Sequence, residues 1–306
     1  RVAHEVKIAK NMVAVPMLAI SGNYIFASAL IILERFGKAL RTPPRDYLIS
    51  IFAERESMGK GFAIQHVLDQ TGAVIGPLTV SFILLLGLGY RDAFLFLAFP
   101  ASLCLLFVFI TYFKGRNFSV KERKIEKPSD YRKFIYFYSA GIGIASAGIY
   151  HISFILYTAQ SYMSEGLIPI IFMVAMIGEG AIGGLLGLLY DKLGKNLVYI
   201  GILLSLILPI LMVRPDVYNL FIAGFIFGAI TGIYDTVGRS IIGKNVEEGK
   251  RGYAYGVYNT FYGMGLFFSG LFIGYFFNFP SIIFSYVFIL QLLSIPILFF
   301  ALKHTG

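Results

Sequence analysis

The apolar residues of this chain come in blocks long enough to cross a bilayer, which excludes most of what 306 residues can otherwise fold into. Ten runs can stay helical across about 30 Å of hydrocarbon. They are 8–22, 24–51, 60–87, 91–113, 132–158, 164–188, 196–213, 216–243, 252–276 and 280–302. No soluble core hides so much: 57% of the residues are hydrophobic, 14% are charged and the mean hydropathy is +0.75. The fold class that follows is an all-α polytopic membrane protein. The second run is too long for one simple span and contains Thr42-Pro43-Pro44, where missing N–H groups and ring clashes predict a bent or broken helix.

Charge sets the orientation. If odd-numbered spans run outward, the outer loops hold only Arg91 and Arg214 of the 26 Lys and Arg residues, while Arg35 and Lys38 lie within a span. The other 22 are on the opposite side, so both visible ends are expected in the cytoplasm and the protein in the cell membrane as a multi-pass chain. The same loops account for the net charge of +9, and no nucleic-acid partner is expected. A lone Cys104 excludes a disulfide scaffold or a cysteine metal cluster, and four histidines without an H-x-x-x-H pair give no helical zinc site. No metal and no cofactor is expected. The start, Arg1-Val2-Ala3-His4-Glu5, has no signal-peptide pattern and reads as an internal piece of something longer.

The chain repeats itself. Gly61-Phe62-Ala63 recurs as Gly252-Tyr253-Ala254, an offset of 191, and at that offset Gly37 meets Gly228, Glu56 meets Glu247, Lys60 meets Arg251 and Gly72 meets Gly263. Two related halves with a site between them near the midplane are the architecture of many secondary transporters.

Three motifs then carry a family resemblance. Gly187-Leu188-Leu189-Tyr190-Asp191-Lys192-Leu193-Gly194-Lys195 resembles the G-x-x-x-D-[RK]-x-G-[RK] cytoplasmic loop of the major facilitator superfamily. The run from Glu34 to Asp46, with Arg35, Arg41, Pro43, Pro44 and Arg45, is similar to the fourth-helix region of a branch of prokaryotic permeases, some of them drug-exporter-like. Gly72-x-x-x-Gly76-Pro77 resembles the fifth-helix motif of antiporter-type exporters; Ala39, Thr79 and Val80 replace glycines of the family pattern.

The resemblance implies two six-span bundles, ten of twelve helices being visible. Residues 1–113 form the rest of the N-terminal bundle, 114–131 a basic cytoplasmic linker and 132–306 the C-terminal bundle. Subtracting 191 from Lys192 lands on Arg1, which becomes the basic residue of a first copy of the gate motif. Two further spans, roughly 60–80 residues, are then expected upstream.

Bare charges in hydrocarbon cost at least about 2.5–3.5 kcal/mol each, so those within spans are candidates for function. Glu34 and Lys38 are spaced to pair along a helix, with Arg35 pointing elsewhere toward an acid or substrate. His66 and Asp69 are i, i+3, a spacing suited to proton exchange, and Gln70 follows on the same face. Asp69 and Glu179 have similar depths and are candidates to face one another as proton carriers, because like charges in a desolvated space resist simultaneous ionisation. Asp235 and Arg239, four apart, read as a helix-surface pair at headgroup level, with gating as the alternative. Asp191 is placed to accept bonds from a neighbouring helix N-terminus and latch one state. Gly72, Gly76 and Pro77 read as close helix packing or a kink. Tyr150, Tyr157, Phe261 and Tyr262 are candidates to line a cavity for an apolar or aromatic small molecule.

The reading is a monomeric secondary transporter working by alternating access, with proton-coupled efflux ahead of proton-coupled uptake. A non-transporting membrane remnant is the alternative from another class. An intramembrane enzyme lacks a nucleophile with its base: His151 and Ser153, at i and i+2, point apart on a helix.

Overall fold

The computed structural model describes residues 23–53, 57–115, 131–164 and 167–303, and these are helical nearly throughout. In chain order the helices are α1 (Tyr24–Phe52), α2 (Met58–Leu85), α3 (Tyr90–Gly115), α4 (Tyr131–Ala147), α5 (Ile152–Ala159), α6 (Ile168–Leu193), α7 (Val198–Val213), α8 (Val217–Ile233), α9 (Arg239–Asn245), α10 (Glu248–Tyr275) and α11 (Pro280–Lys303). A π-helical turn, Tyr234–Gly238, joins α8 to α9. The expected span 8–22, Arg1 and most of the 114–131 linker lie outside the described residues, as do the side chains of Glu34, Arg35, Arg41 and Pro77.

Among the described residues, five helical stretches are long and apolar enough to cross a membrane: Tyr131–Ala159, Ile168–Leu193, Lys195–Val213, Val217–Asn245 and Pro280–Lys303. Their large apolar side chains stay outside in number, Leu185, Leu203, Leu293, Phe299 and Phe300 among them, as in a protein whose solvent is lipid.

Local sequence sets the ends. Pro169 opens α6, where its missing N–H costs nothing, and Gly194 closes it at φ 77°, a left-handed value that an L side chain resists. Asp216 caps α8 by accepting from the Asn219 N–H at 2.8 Å.

Two sequence expectations need correction. Pro43 and Pro44 do not break α1, since two adjacent prolines remove only two ladder bonds and the helix continues on either side. The fifth span is not one helix but breaks after Ala147, and His151 takes an extended conformation as the cap of α5. Its Nδ1 therefore accepts from the Ser153 N–H at 3.2 Å and lies 3.0 Å from Ser153 Oγ, a contact that two helical residues at this spacing would not make. A Cβ on Gly72 or Gly76 would meet no atom of the described residues within 4 Å.

By its contacts the chain divides into two compact units, Arg1–Arg45 with Ile75–Arg123, and Asp46–Val74 with Lys124–Gly306. In the second unit α6 packs most extensively on α8, and α4 packs on α10 and α11. Glycines permit this approach. A Cβ on Gly183 would come within 2.8 Å of the Gly232 Cα, and one on Gly228 would overlap the Ala175 carbonyl. The opposite side of α6 takes the N-terminal half of α2: Gly180, Gly184 and Gly187 lie against Gln70, Val67 and Ala63.

Candidate functional site

All the polar contacts below lie within the second unit, where the 46–74 segment meets helices α6 to α10. At the N-terminus of α2 the first N–H groups have no partner in their own helix. Asp191, near the end of α6, supplies it: Oδ1 accepts from the Gly59 N–H and Oδ2 from the Lys60 N–H, each at 3.0 Å. A carboxylate at a helix N-terminus also meets the positive end of the macrodipole. The approach needs glycine, because a Cβ on Gly59 would strike the Gly187 carbonyl and one on Gly187 would come within 2.9 Å of the Ala63 Cβ.

The C-terminal end of α1 is treated in the opposite sense. The Arg251 guanidinium donates through Nη1 to the Ser50 carbonyl at 2.6 Å and through Nε to the Val246 carbonyl at 2.9 Å. A cation thus meets the carbonyl end of one helix while an anion meets the amide end of the next. Lys192 is exposed beyond the cap, and Lys195 Nζ donates to the Leu302 carbonyl at 2.7 Å, tying the α6–α7 turn to the end of α11.

Further along lies a buried charged layer. Arg239 is 6% exposed; its Nη2 is 2.9 Å from Asp235 Oδ1 and its Nε is 3.3 Å from Asp46 Oδ2, with Asp46 wholly buried. The reading of Asp235 and Arg239 as a surface pair is therefore corrected. The π turn carries this stretch into the interior, and Asp46 of the 46–74 segment becomes a second partner for the guanidinium. Carbonyls around the turn find tyrosine hydroxyls: Tyr258 donates to Tyr234 O at 2.7 Å, and Tyr138 to Gly238 O at 3.0 Å. The rings of Phe134, Tyr138, Tyr258 and Tyr262 stack in a column with centroids 5.5 to 6.2 Å apart.

Glu179 is buried beside this layer. Gln70 Nε2 donates to its Oε1 at 3.0 Å, and His66 Nε2 lies 3.2 Å from its backbone carbonyl and 3.9 Å from Oε1. A carbonyl only accepts, so Nε2 carries the proton in this arrangement. Asp69, by contrast, is exposed and takes a bond from Gln65 of its own helix. The carboxylate that joins Glu179 is Asp235: ligating atoms of His66, Glu179 and Asp235 all lie within 4.8 Å of one another. The sequence pairing of Asp69 with Glu179 fails because one helical position separates the buried Gln70 contact from the outward Asp69.

The expected aromatic cavity is not gathered either. Tyr157 is 60% exposed and packs on Phe277, and Tyr150 packs on Phe154, while Tyr262 joins Tyr234 and Tyr258. Arg45 is half-buried and Lys38 exposed.

The sequence profile of the Major Facilitator Superfamily matches residues 134–305, more than half of the chain. The chain belongs to that superfamily. It is similar to an uncharacterised protein of Mycobacterium tuberculosis, 26% identical over 289 residues that cover 88% of this chain and 68% of the relative. A protein of Mycobacterium bovis matches to the same extent. An uncharacterised MFS-type transporter of Methanocaldococcus jannaschii is 37% identical over 91 residues, 29% of this chain and 23% of that protein.

As a superfamily member the chain is a membrane transport protein, and its apolar helices fit a multi-pass one. Several site residues escaped the sequence reading: Gln70 as a ligand of Glu179, Asp46 as a partner of Arg239, Arg251 as a cap, and the glycine ladder of α6. Only the ladder had a visible signal, the spacing of Gly180, Gly184 and Gly187 on one helical face.

Proposed function

We propose that this chain carries the working part of a secondary active transporter that moves a small molecule across the cell membrane by alternating access, exporting it under the proton gradient. The observation behind the reading is the paired capping of two helix ends, Asp191 on the amides of α2 and Arg251 on the carbonyl end of α1. A cap of this kind is worth roughly 0.5–2 kcal/mol. Contacts that small hold a seam yet release it on the scale of thermal population shifts, which a rocking transporter needs. The charge distribution of the loops supports a cytoplasmic side for these caps, and on that reading the bonded arrangement is the cytoplasm-closed state. Export and proton coupling are carried by the likeness of Gly72 to Pro77 to the antiporter motif.

Alternating access is tested without knowing the cargo. With Cys104 replaced by Ser, nitroxides at Lys60→Cys and Lys192→Cys report the seam by double electron–electron resonance in nanodiscs. We expect a short and a long distance in exchange, with Asp191→Asn raising the long fraction about two- to thirty-fold, the range of one lost cap. A single distance, unchanged by Asp191→Asn in a protein that still elutes as one species, removes the reading. A distribution indifferent to pH removes the proton component alone.

A further inference from the structure

We infer that His66, Glu179 and Asp235 form a binding site for a divalent transition-metal cation, and that its occupancy holds α2 against α6 and the π turn. The three side chains come from three separate elements, so no spacing along one helix announces them, and the sequence expectation of no metal tested only such spacings. Their ligating atoms lie within 4.8 Å of one another, close enough for one cation to reach all three with small side-chain rotations. Imidazole with two carboxylates suits zinc, manganese or cobalt rather than calcium or magnesium, which favour oxygen alone.

Burial favours the same occupant. His66 is 3% and Glu179 8% exposed, and Asp235 and Asp46 both stand against the Arg239 guanidinium. A dication between Glu179 and Asp235 would meet two carboxylates of opposite charge to its own and leave Arg239 with Asp46. A fourth donor is on hand: Gln70 Oε1 is buried without a hydrogen-bond donor among the described residues, on the same amide whose Nε2 meets Glu179. His66 binds as neutral imidazole, its ring proton moving to the other nitrogen.

Metal binding is an equilibrium property of the protein and does not require that it transport anything. Its failure is therefore distinct from failure of the alternating-access reading. Tag-free full-length protein in detergent, stripped with chelator, is titrated with Co2+ and followed by its visible absorption. We expect one Co2+ per chain, displaced by Zn2+, with the affinity lowered at least 10-fold by either Glu179→Gln or Asp235→Asn. Co2+ should also raise the short-distance fraction of the Lys60/Lys192 spin pair, because a ligand that bridges the seam favours the closed state. Wild-type protein that binds no Co2+ saturably, or both variants binding as tightly as wild type, overturns the proposal. If the variants do not fold, X-ray absorption of the Zn2+-loaded wild type decides it: one imidazole among oxygen donors supports the site, and a shell without imidazole or with several overturns it.

Discussion

Helix α6 has two glycine faces that do different work. Toward α8 it meets backbone with backbone: Gly183 and Gly232 touch, Gly228 lies on the Ala175 carbonyl, and Gly178 on Phe225. Toward α2 the glycines Gly180, Gly184 and Gly187 admit side chains instead. The bonds there run through Gln70, His66 and Asp191. Dispersion between close backbones rewards one geometry and has no second one to offer. Polar side-chain contacts can be exchanged for water or for another partner. On the alternating-access reading proposed above, the first face is the permanent seam and the second the separable one.

The contrast breaks most visibly with a side chain forced into the permanent seam. Gly228→Val should cost about 3 kcal/mol or more through overpacking against fixed backbone, and yield little monodisperse protein on size exclusion. Gly187→Ala meets the Ala63 Cβ of α2 at 2.9 Å and the Thr236 Cβ at 3.2 Å, side-chain atoms that can give where backbone cannot. It should leave the thermal midpoint within a few degrees while lengthening the spin-pair distance; an equal loss of folded protein in both variants would erase the distinction. Asp191→Asn should come next, with roughly 1–2 kcal/mol lost from the closed state only. The smallest effect is expected at Lys195→Gln, where the bond to the Leu302 carbonyl contributes about 0.3–1 kcal/mol at the end of α11. There a small drop in melting temperature with an unchanged spin-pair distance is the expected result, and a shifted distance would assign that lysine to the moving seam.

How much was legible follows the range of each interaction. Asp191 could be read as a cap because carboxylate, basic residue and turn glycine lie within four positions of one another, and Gly194 does take the left-handed turn. The match of Lys60 to Arg251 across the repeat was legible too, and both fall in the first turn of 28-residue helices. Arg251 reaching Ser50, and Asp46 reaching Arg239, join positions about two hundred apart, and nothing local marks them. Asp235 misled because a place near the end of a span reads as headgroup level, whereas the π turn and Asp46 give its pair with Arg239 a buried setting. Asp69 misled by its face, one position away from the Gln70 that meets Glu179.

The sequence by itself determined that the chain is a bundle of apolar helices, where most of them begin and end, and which family loop caps its neighbour. Those properties depend on composition over some twenty residues or on spacing within one turn, and water, lipid and the backbone enforce them locally. Only the tertiary structure decided which buried charges meet: Glu179 with His66, Gln70 and Asp235, and Arg239 with two carboxylates. A charge in a low-dielectric interior takes whichever partner the packing of glycine-faced helices brings within reach, and that packing is set by the rotation of each helix about its own axis, which hydrophobicity all round a helix leaves open.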